Sequence, residues 1–275
     1  MNQTFSFQRF SLLVAKNWAE NKKRYLLSLV AYISLVFVWY VFVMLTDESH
    51  PMARNLQEVT FLFSLLLIGP FFASQFFSEL GSKTKATSYL MVPASNLEKL
   101  LCGILYVTVL FLILFIVAFY FVDFIAVLIA NAFHPSYNGV TTVNGVHVSA
   151  QAANIFKVGK PSDNVAFYFL TTFFAVQSVA LLGSVYFQKY SYIKTVISLT
   201  LILLISAFLV FEVMGSILPS PAMFNVVEYR IWDGEKLKIV ELPKWSQKMV
   251  EYLLFFGFTI VFWVATYFRL KEKEV

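Results

Sequence analysis

With 275 residues, 59% of them hydrophobic and only 13% charged, and a mean hydropathy of +0.72, the chain lies far outside the range of water-soluble domains. A soluble helical bundle is excluded because its apolar runs carry no polar stripe of the kind a solvated helix needs. The net charge of +5 belongs to no basic soluble domain, so it speaks for membrane topology rather than for nucleic acid.

The first 24 residues are amphipathic. Phe7, Phe10, Leu13 or Val14, and Trp18 recur at helical spacing, with Arg9, Lys16, Glu20 and Lys23 on the other side. Residues 1–24 are expected to form an interfacial helix, its basic heads on anionic lipid and its rings at headgroup depth. No cleavable signal peptide is evident, because the lead-in is polar and no small-residue cleavage site follows the first apolar run. Six runs reach the roughly 17–25 residues that cross a hydrocarbon core, near Tyr25–Leu45, Val59–Phe77, Leu101–Phe121, Phe167–Phe187, Thr195–Val213 and Tyr252–Phe268. The fold expected is an all-α polytopic membrane protein: a single six-span domain over residues 1–275.

Between the second and third runs lies the polar connector of residues 78–100, SELGSKTKATSYLMVPASNLEKL. Gly81 suits the left-handed closure of the preceding helix. Pro93 stops whatever precedes it, and Ser95 with Glu98 spells the capping box that starts the next helix. One short helix fits between these signals. Cys102, the single cysteine, excludes an intrachain disulfide and reads as a small packing residue. The third apolar run continues past Asp123 to about Phe133, and its outer end is expected to bend along the interface.

Two outer loops, residues 130–166 and 214–250, are long enough to fold. Each carries a hairpin signal, Asn144-Gly145 and Asp233-Gly234 between β-prone stretches, so small extracytoplasmic β-hairpins are expected. His50, His134 and His147 fall in outer loops with no metal-ligand spacing. With the N-terminus inside, thirteen of the 21 Lys and Arg but five of the 16 Asp and Glu lie in inner segments. Both termini are then cytoplasmic.

The chain has no phosphate-binding loop, since Gly159-Lys160 is followed by Pro161, and no His-Glu-x-x-His helix or Gly-x-Ser-x-Gly elbow. No catalytic residue, metal ligand or cofactor site of its own is assigned. Ionisable residues deep in spans are nearly missing. Asp123 and Glu212 are placed near outer span ends, where a carboxylate reaches water. Ser74, Gln75, Thr171, Gln177 and Ser178 are neutral polar groups within spans; they suit interhelical hydrogen bonds, or a substrate path if their faces line a cavity.

Glu79, Leu90, Pro93, Ser95 and Glu98 give the connector a pattern that resembles the one between the second and third spans of type-2 ABC transporter permeases, approximately Glu-Arg-x-x-Gly-Thr, Leu-Leu, Pro-x-Ser, Glu. Leu80 stands where the arginine is usual, and Lys85, Ala86 and Thr87 where the glycine-threonine pair is. The motif covers about a tenth of the chain. The resemblance implies the membrane subunit of an exporter in a bacterial cytoplasmic (inner) membrane, moving a lipid, glycan, peptide or drug-like substrate. It implies a dimer, with itself or with a similar permease, and separate ATPase subunits that bring ATP and Mg. The connector then serves as coupling helix, with Glu79, Lys83, Lys85, Tyr89, Leu90, Met91, Pro93, Ser95 and Glu98 as its working residues. A membrane-embedded lipid-modifying enzyme and a non-transporting adaptor or sensor stay open as alternatives.

Overall fold

The computed structural model describes residues 5–46, 52–81, 83–133, 152, 165–187, 189–217, 222–224, 228–233, 236–241 and 243–273. The three histidines and the Asn144-Gly145 hairpin signal lie outside these residues. Among the described residues, five helices are long and apolar enough to cross a membrane, Phe7–Thr46, Arg54–Phe76, Asn96–Ala132, Tyr168–Tyr186 and Ser191–Val213. The chain is thus a helical, multi-pass membrane protein, for in hydrocarbon only a helix or a closed barrel satisfies its own backbone polar groups.

Helix α1, Phe7–Thr46, runs for 40 residues without interruption. The separation expected near Arg24 between an interfacial helix and a first span is absent. No glycine or proline occurs between Phe7 and Thr46, so nothing removes a backbone hydrogen bond or favours a cap. At about 1.5 Å per residue α1 is about 60 Å long, twice the hydrocarbon thickness of about 30 Å. Its buried residues Tyr32, Val36, Tyr40 and Met44 lie four apart on one stripe.

That stripe meets the third helical run, which comprises α4 (Asn96–Ile104), a π-helical stretch (Leu105–Leu110) and α5 (Phe111–Phe133). Contacts rise together along both chains. Arg9 bonds Glu98, Tyr106 bonds the Val14 carbonyl, Tyr32 stacks on Phe115 with centroids 4.8 Å apart, and Tyr40 meets Phe119 edge-on. The two long rods are therefore parallel neighbours that start at the same end. The helix continues through Asp123 to Phe133, without the expected turn of chain at its outer end.

The second packing unit is built on α6, Val165–Tyr186. It packs most extensively on α2, Arg54–Phe76, and on α9, Phe258–Glu272. Phe61 meets Phe169, and Gly69 lies under Gln177, so α2 and α6 are also parallel. Arg269 lies 4.6 Å over the Tyr186 ring, so α6 and α9 finish together. The last run is helical from Lys244: α8 (Lys244–Tyr252), a second π-helical stretch (Leu253–Gly257) and α9. Helix α7, Ser191–Ile217, leans on α6 and α2 and keeps most of its apolar surface outward.

Between α7 and α8 the backbone forms three antiparallel strands, β1 (Ala222–Phe224), β2 (Glu228–Asp233) and β3 (Lys236–Glu241), in the order β1-β2-β3. Asp233 pairs with Lys236. The Asp-Gly pattern had put Asp233 in the turn itself; the observed register instead sets an acidic position across from a basic one, a favourable directly opposed pair.

Glycine 183 lets α6 and α7 approach. A Cβ there would sit 2.7 Å from Thr195 Cγ2 and 2.8 Å from its Cβ, and closer still to its hydroxyl. Thr195 is β-branched and holds the Ser191 carbonyl, so it cannot swing aside. Gly183→Ala is expected to destabilise the chain by about 1–3 kcal/mol through overpacking. Gly257→Ala, whose Cβ meets nothing nearer than 3.5 Å, is expected to be neutral or to stabilise by up to about 1 kcal/mol. Unfolding midpoints of the two variants in one detergent check the contrast.

Candidate functional site

The connector is held at both ends by local geometry. Helix α2 closes at Phe77, whose backbone lies at φ −94° and ψ 14°, and a 3-10 turn over Ser78–Gly81 follows. Gly81 therefore ends the tightened turn and does not close α2, a common way for a helix to finish. The closing residue is instead a phenylalanine whose ring is fully buried. Helix α3, Lys83–Leu90, occupies the space between the two stop signals. After it the chain turns, Met91 N–H bonding the Thr87 carbonyl at 2.9 Å and Ala94 N–H the Val92 carbonyl at 2.7 Å. The capping box then begins α4: Ser95 Oγ accepts from Glu98 N–H at 3.2 Å, and Ser95 N–H donates to Glu98 Oε2 at 2.8 Å.

Side chains fix α3 to the bundle. Tyr89 meets Phe77 edge-on at 6.1 Å, Lys99 Nζ lies 5.8 Å over the Tyr89 ring, and Ala86 packs on the same cluster as Phe77, Leu80 and Leu100. Tyr89 is thus taken up by the protein's own core, where the sequence pattern had offered it to a partner. Lys99 is 1% exposed, not a solvated charge, and its stem fills space beside Tyr89. Met91, by contrast, is 77% exposed, and Pro93 is exposed beside it. The side chains of Lys83, Lys85 and Leu90 lie outside the described residues.

Glu98 does more than cap. Its side chain is 0% exposed, and the capping box uses only Oε2. The other oxygen accepts from Ser6 N–H at 2.7 Å and from Arg9 Nη2 at 3.0 Å. The start of α1 is thereby tied to the start of α4. Leu13, Cys102 and Tyr106 are buried together just beyond, with Phe10, Val14, Val92 and Ala94 against them. Ser6 did not stand out in the sequence, and Arg9, expected to meet anionic lipid, is paired with Glu98 instead. The available signal was that a carboxylate entering an apolar helix needs more than one donor.

Next to this tie lies a cavity of about 50 Å³, where a water needs about 10–15 Å³. Asn17, Asn21, Arg24, Gln75 and Glu79 line it. Tyr25 Oη and Asn21 Nδ2 both donate to Asn17 Oδ1, at 3.0 and 2.9 Å, and Arg24 donates to Gln75 Oε1. Glu79 and Gln75 thus face the α1 side of the connector end.

The remaining polar span residues lie on α2 and α6, the two helices that pack most on one another. Ser74, Thr171 and Ser178 are buried and return their hydroxyls to their own helices, on Phe71, Tyr168 and Ala175 carbonyls at 2.7–2.9 Å. Gln177 is 1% exposed. Asp123 is fully enclosed, with Tyr40 facing it, and not in reach of water as its position near a span end suggested. The helix runs on for ten more residues, so Asp123 lies inside the bundle. Glu212 is exposed. The chain matches no family model, no curated protein and no solved structure.

The shared carboxylate predicts coupling between sites 89 residues apart. Arg9→Ala and Glu98→Ala each lower stability, and the double variant is expected to lose about 1–2 kcal/mol less than their sum, since both remove one charge-assisted contact. A double-mutant cycle on unfolding midpoints measures it; additive losses would show that Arg9 and Glu98 do not interact.

Proposed function

We propose that the chain is the membrane-spanning subunit of an ATP-driven ABC exporter, with the connector as its docking and coupling element. The observation that carries this reading is the two-sided build of the connector. One edge is held by Tyr89, Lys99 and the Glu98 tie, and the other exposes Met91 and Pro93. A short helix held on one side transmits a displacement into α2 and α4, where a loose loop would dissipate it. An exposed methionine on such a support is an adaptable apolar contact for a partner's groove.

In this reading the connector end is cytoplasmic, Lys244–Glu272 is the sixth span, and the part of α1 before Tyr25 continues the first span out past the cytoplasmic face of the membrane. Two such chains pair and work with two ATPase subunits that supply ATP and Mg. The β1–β3 sheet forms an extracytoplasmic cap over the exit for a lipid, glycan, peptide or drug-like substrate. Support for the export class comes from the connector motif of Glu79, Pro93, Ser95 and Glu98.

Co-expression with a phosphate-loop ATPase encoded beside it tests the proposal. The pair is expected to co-purify and to hydrolyse ATP, with no turnover by the isolated chain. Met91→Asp, at an exposed position, is expected to leave membrane insertion intact and reduce ATPase recovery at least tenfold, about 1.4 kcal/mol of docking energy. Full recovery with Met91→Asp would remove the connector from the docking surface. ATP turnover by the isolated chain would overturn the subunit assignment.

A further inference from the structure

The α2–α6 contact holds an unused donor directly over a weakened point of a helix. Gln177, in the middle of α6, is 1% exposed, and neither its Nε2 nor its Oε1 has a hydrogen-bond partner among the described residues. A buried amide left idle in this way is rare. Its Nε2 lies 2.6 Å from where a Cβ on Gly69 would be, with Phe173 and Phe111 closing the sides at 3.1 and 3.3 Å. Only glycine leaves that space. The next residue is Pro70, buried inside α2. Proline has no N–H, so the Leu66 carbonyl, four residues back, loses its helical donor on the turn that Gln177 overlies. The carbonyls freed at such a point are commonly taken up by a neighbouring helix's side chain.

We propose that Gly69-Pro70 is a hinge in α2 with two settings, distinguished by the Gln177 amide. In the setting described here the amide sits idle over Gly69. In the other, the part of α2 beyond Pro70 swings on α6 until Gln177 Nε2 donates to the carbonyl that Pro70 leaves without a partner. The two settings differ by one buried hydrogen bond gained against packing lost around Phe173 and Phe111, which is the balance of a bistable element. The swing would move Phe76 and Phe77 and with them the connector. The inference is independent of the ATPase reading and is tested on the chain alone.

The experiment places nitroxides at Val59, exposed in the outer half of α2, and at Met91, exposed beyond α3, in a Cys102→Ala chain in lipid nanodiscs, and reads their separation by pulsed electron resonance. Gly69→Ala fills the space under the amide and is expected to shift the main distance by several ångströms. Adding Gln177→Met, which keeps the length and removes the donor, is expected to restore the original distance. Adding Pro70→Ala in its place, which gives Leu66 back its helical N–H, is expected to restore it as well. An unchanged distance in Gly69→Ala overturns the hinge. So does a shift that survives either second substitution, for it would then be steric displacement with no exchange of a hydrogen bond.

Discussion

A fully buried carboxylate must be surrounded by donors, and at Glu98 that requirement draws three parts of the chain to one point. An ionised carboxylate loses several kcal/mol of hydration on burial, and four groups answer it: the Ser95 and Ser6 amides, the Arg9 guanidinium and the start of helix α4. The net gain in stability is small, because Arg9 keeps 36% of its side-chain exposure and the burial cost offsets most of the attraction. What the arrangement supplies is position. The beginning of α1, the end of the connector and the beginning of α4 cannot separate without stranding a charge.

Beyond that point the bundle is held by two different kinds of contact, as expected where lipid offers no hydrophobic drive for helices to associate. The α1–α5 side is a column of rings, with Tyr32, Tyr40, Phe111, Phe115 and Phe119, joined by Phe61 of α2, stacked or edge-on at 4.8–6.4 Å. Such pairs hold by shape and quadrupole as well as by area. The α2–α6–α7 side is built on close approach, with Gly69 and Ala73 facing α6 and Gly183 beneath Thr195.

The spans were legible in the amino-acid sequence because twenty apolar residues in a row admit few alternatives, and the capping box because Ser-x-x-Glu after proline is a local code. The faces were not. A helix that is apolar all round carries no stripe to mark its buried side, so nothing distinguished Tyr40 from Trp39, although one is enclosed and the other exposed. The unbroken α1 was hidden for a related reason: Lys22, Lys23 and Arg24 mark an interface without being helix breakers. The Arg9–Glu98 tie joins positions too distant for any local pattern. Asp123 was misplaced because the run beyond Phe121 was expected to bend along the interface, whereas the helix continues through it to Phe133.

The π-helical stretch at Leu105–Leu110 acts on its helix as a frameshift acts on a message. Up to its first residues, the positions turned to α1 are Glu98, Cys102 and Tyr106. Continued at regular α spacing, that series would arrive at Ile113 or Leu114 and then Val117, all of which are exposed. The buried positions after it include Phe115, Phe119, Val122 and Ala126. The wide turn changes the phase, so one straight rod addresses α1 in two separate frames. Each half could then evolve its own contacts, and a single residue gained or lost in that turn would erase the correspondence between them while leaving the helix whole.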